Sequence, residues 1–361
     1  MNPLELIRDD VRALHAYPVQ PSAGLVKLDV MENPHRLPPA LQRELGERLG
    51  QVALNRYPAE RTDLLRQALA RHAALPEGCD LVLGNGSDEL ISLLTQALAR
   101  PGATVLAPLP SFVMYAHAAQ LLGVRFVGVD LRGDFQLDLD AMRAAIAREK
   151  PALLWLACPN NPTGTLWPEA DLDALVEAMA PDGPNPGLVV FDEAYAPFAS
   201  RDARHRLLRQ PHVALMRTLS KFGLAGVRIG YLMAPADFAA QIDKLRPPFN
   251  LSVLNTEAAL FALEHEAVYE IQAISIRSQR ERLSAALRAL PGVTPFPSEA
   301  NMVLARFGDA AQVFEALKAR RILVKNVSTA HPLLANCLRL TVGTPEETEL
   351  LIEALQQILT P

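Results

Sequence analysis

Two segments, VVFDEAY (189–195) and RTLSKFGLAGVRIGY (217–231), place an acid, a phenol, hydroxyls, one lysine and an arginine just beyond apolar runs. The lysine, Lys221, discriminates most. A lysine at the end of a buried strand loses hydration, and its pKa falls from roughly 10.4. Its amine then becomes a nucleophile suited to a Schiff base. The plainer reading is a lysine that carries its charge out to water along its stem. Two further segments follow apolar runs: GNGSDE (84–89) and CPNNPTG (158–164).

Each of these has two sides. GNGSDE is either an ordinary glycine turn or a phosphate cradle, since free N–H groups at a helix start bind anions. It is not GxGxxG, and no acid follows about 20 residues on after a second strand, which disfavours a dinucleotide. Asp192 reads as a metal ligand, an N-cap or a counter-charge, and Asn161 as a ligand or a tight Asn-Pro turn. Tyr195 and Phe112 read as packed aromatics or as a ring-oxygen donor and a stacking surface. Combined, the set is more specific. A phosphate nest at Ser87, a second phosphate ligand at Arg228, a carboxylate, a phenol, an amide and an amine are what pyridoxal 5'-phosphate requires. The carboxylate would keep the pyridine nitrogen protonated.

The positioning elements follow from apolar patterning. DLVLGNG, ATVLAPLP, VRFVGVD, ALLWLACPN, GLVVFDEAY and VALMRTLSK read as short strands, mostly with helical patterns between them. SDELISLLTQALA reads as a helix with Ser87 as its N-cap. Continuous apolar strands alternating with helices predict a mainly parallel sheet covered on both faces, with ligands at the strand carboxyl ends. A proline-rich stretch occupies about 18–39, and after FNLSVLNTEAALFALEH a long helical pattern runs to about Leu290. FPSEANMVLARF, RILVKNV and CLRLTVGT then predict a small α+β domain, closed by PEETELLIEALQQIL. The expected division is an N-terminal arm (1–40) serving the small domain and a dimer, a large cofactor domain (41–250), and a small domain (251–361).

Bulk properties narrow the class. At 361 residues the chain is too long for one simple core. Half of it is hydrophobic and 21% charged, an ordinary soluble composition. A net charge of −5 argues against nucleic acid as partner. No apolar run reaches the roughly 20 residues that span a bilayer, and the polar start is not a signal peptide. Three scattered cysteines (Cys79, Cys158, Cys337) fit buried thiols in a reducing cytoplasm better than disulfides or zinc.

CPNNPTG, VVFDEAY, TLSK and GLAGVRIGY, in this order and spacing, resemble the fold-type I aminotransferases of the aspartate aminotransferase superfamily. LNRYP (54–58), GNGSDELI, NMVLARF and CLRLTVGTPEE are similar to its histidinol-phosphate aminotransferase family. The resemblance implies an α/β large domain around a mainly parallel seven-stranded sheet, with a small α+β domain. It implies a homodimer with shared active sites and no metal. Lys221 would carry the cofactor and move the α-carbon proton, Asp192 would pair with the pyridine nitrogen, and Tyr195 and Asn161 would hold the ring oxygen. Ser87, Asp88 (through backbone N–H), Thr218, Ser220 and Arg228 would hold the phosphate, and Tyr57 would reach the neighbouring subunit's cofactor. Arg339 would grip the substrate carboxylate in a bidentate fork, with Lys325, Asn33 and Tyr17 also facing substrate and His35 a solvated loop residue.

The implied reaction takes the amino group of glutamate, leaves 2-oxoglutarate, and converts imidazole-acetol phosphate to histidinol phosphate in histidine biosynthesis. The rivals are a threonine-phosphate decarboxylase, an aromatic amino-acid aminotransferase, and a non-catalytic ligand-binding module on the same fold. The chain departs from the family pattern in three places. SKFGLAG is one residue short, Lys325 stands where an arginine is usual, and Phe112 stands where a tyrosine is usual.

Overall fold

The structure is a computed structural model that describes residues 2–14 and 20–360. In chain order the strands are β1 Val26–Leu28, β2 Cys79–Gly84, β3 Thr104–Leu109, β4 Arg125–Asp130, β5 Leu153–Ala157, β6 Leu188–Asp192, β7 Val213–Thr218, β8 Gly230–Pro235, β9 Thr294–Pro295, β10 Met302–Arg306, β11 Ile322–Asn326 and β12 Cys337–Thr341. Among the described residues they form a seven-stranded sheet, β2-β8-β7-β6-β5-β3-β4, and a five-stranded sheet, β1-β11-β12-β10-β9. In the larger sheet β8 alone runs antiparallel to its neighbours.

Period two along the central strands sorts their side chains onto two faces. Leu154, Leu156, Val189, Phe191, Val213 and Leu215 join one apolar cluster. Their neighbours Leu153, Trp155, Leu188, Val190, Ala214 and Met216 join the other, with the helices Ser87–Leu98 and Met114–Leu121. Continuing the alternation sends Asp192 and Thr218 to the second face, and Glu193 and Arg217 to the first. One strand end therefore delivers two different polar layers.

The layer on the first face is a buried ion pair. Arg217 Nε donates to Glu193 Oε2 at 2.8 Å, and the other carboxylate oxygen accepts Ala203 N–H at 2.6 Å. Arg217 also reaches Asp202 at 3.2 Å. Burial raises the Glu193 pKa, opposed by the Arg217 charge. The pair ties β6, β7 and the loop at 202–203 together beneath the strand ends that carry the site.

Two local features differ from the sequence reading. Ser87 is not the N-cap. Gly86 caps that helix at φ +82, and Ser87 is the first helical residue. A three-residue strand, β1, lies within the proline-rich stretch and pairs in parallel with β11. The helices Val253–Glu264 and Glu266–Ala289 follow, the second being the long helix expected to end near Leu290. The first of these packs on the helices Pro39–Gly50 and Ala59–His72, on the side of the large sheet. The short SKFGLAG segment is wound as a wide turn over Ser220–Leu224, with Gly223 at φ +144. A Cβ at Gly223 would fall 2.7 Å from the Tyr269 ring, so the turn depends on glycine. No helix among the described residues is long and apolar enough to cross a membrane.

Replacing Arg217 with leucine leaves Glu193 buried and uncompensated. We expect a loss of about 3 kcal/mol, seen as a lower urea midpoint. An unchanged midpoint would mean that the pair does not hold the strand ends.

Candidate active site

A cavity of about 340 Å³ opens at the carboxyl ends of β5, β6 and β7. Ten residues expected from sequence line it: Ser87, Asp88, Phe112, Asn161, Asp192, Tyr195, Thr218, Ser220, Lys221 and Arg228. Val30, Met31 and Glu32, from the segment after β1, form the opposite wall. That segment is pinned to the small sheet: Met31 N donates to Thr341 Oγ1 at 3.1 Å, and Asn301 Nδ2 donates to Met31 O at 3.0 Å.

Lys221 Nζ donates to Val30 O at 3.1 Å and lies 6.0 Å from the centre of the Tyr195 ring. Burial pushes its pKa down to about 8, with the charges of Arg339 and Arg228 adding to the effect and those of Glu32 and Asp88 opposing it. Asp192 is raised to about 6, chiefly by burial. Its Oδ1 accepts Ala194 N–H at 3.0 Å, and its Oδ2 accepts the Tyr115 hydroxyl at 2.6 Å. Of the three sequence readings, this environment favours a counter-charge: the carboxylate faces the cavity and sits among its own hydrogen-bond donors.

At the other end of the cavity, donors converge. The helix beginning at Ser87 presents free N–H groups. Thr218 Oγ1 lies 3.0 Å from Ser220 Oγ, and Ser220 N donates back to Thr218 Oγ1 at 3.1 Å. Arg228, at φ +55, turns its guanidinium back over Gly86 and reaches Asp88 Oδ2 at 3.2 Å. Both side chains of that pair are 44% exposed. Such a pair is worth about 0–1 kcal/mol, so an incoming anion can displace it. The glycines leave the cradle clear. A Cβ at Gly86 would lie 2.5 Å from Arg228 Nη2, and one at Gly230 would lie 2.7 Å from Ser87 N. Cradle, amine and buried carboxylate fit pyridoxal phosphate in donor type and placement. The shortened lysine segment does not prevent this, because the wide glycine turn still brings Arg228 to the wall.

Arg339, on β12, is buried at the edge of this arrangement. Its Nη1 donates to Asn161 Oδ1 and its Nη2 to Asp29 O, both at 2.7 Å. Lys325 is its direct cross-strand partner on β11. Other expected residues lie elsewhere. Asn33 does not line the cavity; its amide donates to Phe222 O at 3.1 Å and Gln272 Oε1 at 2.9 Å, bracing the lysine turn from behind. His35 is half-buried rather than solvated, and burial lowers its pKa. Tyr57 is 77% exposed and stacks on Phe249 at 4.5 Å, away from this chain's own cavity. Tyr17 lies outside the described residues. Sequence reasoning missed Glu32 and Tyr115. The Phe112-to-Tyr115 spacing of three residues was the available signal for Tyr115, but its apolar context reads as core.

The sequence matches the family described as aminotransferase class I and II over residues 23–355. It is 64% identical to a histidinol-phosphate aminotransferase of Methylibium petroleiphilum, covering 98% of this chain and 95% of that one. It is 59% identical to one from Polaromonas naphthalenivorans, covering 98% and 96%. Among solved structures, the histidinol-phosphate aminotransferase of Sinorhizobium meliloti in complex with pyridoxal-5'-phosphate superposes with a TM-score of 0.84 at 28% identity, over 98% of this chain and 97% of that one.

A depressed lysine pKa has two consequences in the cofactor-free protein. Reductive methylation of Lys221, followed by peptide mass mapping, is expected to show a pH midpoint near 8. Stability carries the matching sign. The buried charge disfavours folding fully below pH 8 and ceases to do so as pH rises to 10.5. Lys221→Met is therefore expected to raise the melting temperature most below pH 8, and a Lys221 midpoint above 10 would contradict both statements.

Proposed function

The chain belongs to the class I and II aminotransferases, and we propose that it is a pyridoxal-phosphate-dependent histidinol-phosphate aminotransferase of histidine biosynthesis. It exchanges an amino group between glutamate and imidazole-acetol phosphate, giving 2-oxoglutarate and histidinol phosphate. The observation that carries this reading is Lys221, a buried amine of lowered pKa between the phosphate cradle and Arg339, in a chain 64% identical to a relative of that activity.

When bound, pyridoxal phosphate supplies a carbonyl that takes up the amino group and a protonated ring that accepts the electron pair released at the α-carbon. The chain's own residues do the rest. Ser87, the backbone N–H of Asp88, Thr218, Ser220 and Arg228 anchor the phosphate. Lys221 would hold the cofactor through its amine, and that amine would move the proton at the substrate α-carbon. Asp192 holds the proton on the ring nitrogen, and Asn161 and Tyr195 hold the ring oxygen. Phe112 covers the ring face. The cavity wall formed by Val30, Met31 and Glu32 keeps water away from Lys221.

The two substrates differ at one end: glutamate offers an α-carboxylate, histidinol phosphate a phosphate ester in its place. Arg339 serves both by presenting a planar fork. Lys325, opposite it across the strand pair, adds the second positive charge that a dianion needs. Asn33 acts through the lysine turn. The reading treats 1–40 as an arm, 41–250 as the cofactor domain and 251–361 as the small domain. In support, β1 is part of the small sheet. It also has the enzyme acting in the cytoplasm as a homodimer in which Tyr57 reaches the neighbouring subunit's cofactor. The exposure of the Tyr57–Phe249 stack supports that arrangement, and unpaired Cys79, Cys158 and Cys337 suit a reducing compartment.

The test is the visible spectrum of the purified protein loaded with pyridoxal phosphate. Histidinol phosphate is expected to bleach the yellow band, and 2-oxoglutarate to restore it. A yellow protein indifferent to histidinol phosphate would overturn the substrate assignment and keep the cofactor. Lys325→Ala is expected to raise the KM for histidinol phosphate about tenfold, the scale of one charged hydrogen bond, with a much smaller effect on glutamate. Equal losses for both would remove Lys325 from phosphate recognition.

A further inference from the structure

We propose that Tyr115 is a positioning residue: its phenol holds the Asp192 carboxylate in the orientation that meets the ring nitrogen of the cofactor, without itself touching the cofactor. This rests on the reading of the site given above.

Asp192 ends β6 with its side chain on the cavity wall. A carboxylate on a single Cβ can spin about its last bond, and a spinning carboxylate is a poor partner for one fixed N–H. Here the two oxygens are held separately. Oδ1 takes the Ala194 N–H from its own chain turn, and Oδ2 takes the Tyr115 hydroxyl from a different element, the helix Met114–Leu121. Two bonds to different oxygens define the carboxylate plane. Each oxygen keeps a further lone pair, so the cavity side remains open to a donor.

Tyr115 can serve this role because it is itself fixed. The side chain is fully buried, and its ring stacks on Trp155 at 4.7 Å with a 4° interplanar angle. Its edge meets Phe112, a cavity-wall residue, at 5.7 Å and 85°. The same helix start therefore supplies the candidate stacking ring and, three residues on, the orienter of the carboxylate. Burial and the Asp192 charge raise the Tyr115 pKa, so the phenol stays protonated and can only donate here. Its bond also opposes the upward effect of burial on Asp192. Tyr115 is absent from the cavity wall, so its influence on the ring nitrogen passes through Asp192.

The test needs a readout that simple packing damage would not move. Cofactor-free protein is offered pyridoxal phosphate in competition with 1-deaza-pyridoxal phosphate, in which carbon replaces the ring nitrogen. Wild-type protein is expected to prefer the natural compound. Tyr115→Phe, which keeps the ring and loses the donor, is expected to lower that preference about tenfold. In an Asp192→Asn background it should change nothing further. Equal weakening of both compounds by Tyr115→Phe would show a packing role only and overturn the proposal. An unchanged preference, or no preference in the wild type, would also overturn it. Should Tyr115→Phe not fold, Tyr115→His carries the same comparison, because its shorter ring cannot reach Oδ2 at the same distance; a wild-type preference there would equally overturn the proposal. Wild-type protein that binds neither compound would instead overturn the cofactor reading itself.

Discussion

A lysine amine kept from water and placed near two guanidinium groups releases its proton more readily than one at the surface, and much of the fold serves to keep Lys221 in that condition. The large sheet supplies the strand end, the small sheet supplies Arg339, and the segment after β1 closes the gap. Val30 O accepts the amine from that segment, which is tied to the small sheet through Met31, Thr341 and Asn301. Desolvation of Lys221 is therefore a property of both units together. A displacement of the small unit would change the water and the charge around the amine at once.

The same economy appears at the end of β6. Asp192 and Glu193 are neighbours in sequence, both acidic, both buried, and both raised in pKa by burial. Pleating sends them to opposite faces, where they meet different partners. Asp192 meets hydrogen-bond donors and the cavity, so it retains a free direction for a ligand. Glu193 meets Arg217 and the Ala203 N–H, which use its oxygens for cohesion. Two identical chemistries become a ligand site and a structural clamp through one step of strand alternation. Because the clamp joins β6 to β7, it also fixes the spacing between Asp192 and the Thr218–Lys221 segment.

Most site residues could be read from sequence because they follow apolar runs, and polar groups at the carboxyl ends of parallel strands converge by topology. Those read less well act through other elements. Ser87 gave up the capping position to Gly86, since only glycine leaves room for Arg228 there. Asn33, expected at the substrate mouth, braces the lysine turn. β1 was hidden in a proline-rich stretch because three residues carry too little pattern to announce a strand. Tyr115 looked like core, and by burial it is core; only its hydroxyl end shows otherwise.

By itself the sequence determined the strand and helix alternation, the glycine turns, and the amine, acid, amide and arginine at their ends. These are local: periodicity two or 3.6 and glycine's freedom at positive φ are written in neighbouring residues. The tertiary structure decided what each polar group faces. It brought Arg339 to Asn161 across 178 positions of chain, Val30 to Lys221 across 191, and Tyr115 to Asp192 across 77. Desolvation and electrostatic coupling depend on those distances in space rather than along the chain. For that reason the residue types and the lowered pKa of Lys221 were legible before folding, and the partners that tune Lys221 and Asp192 were not.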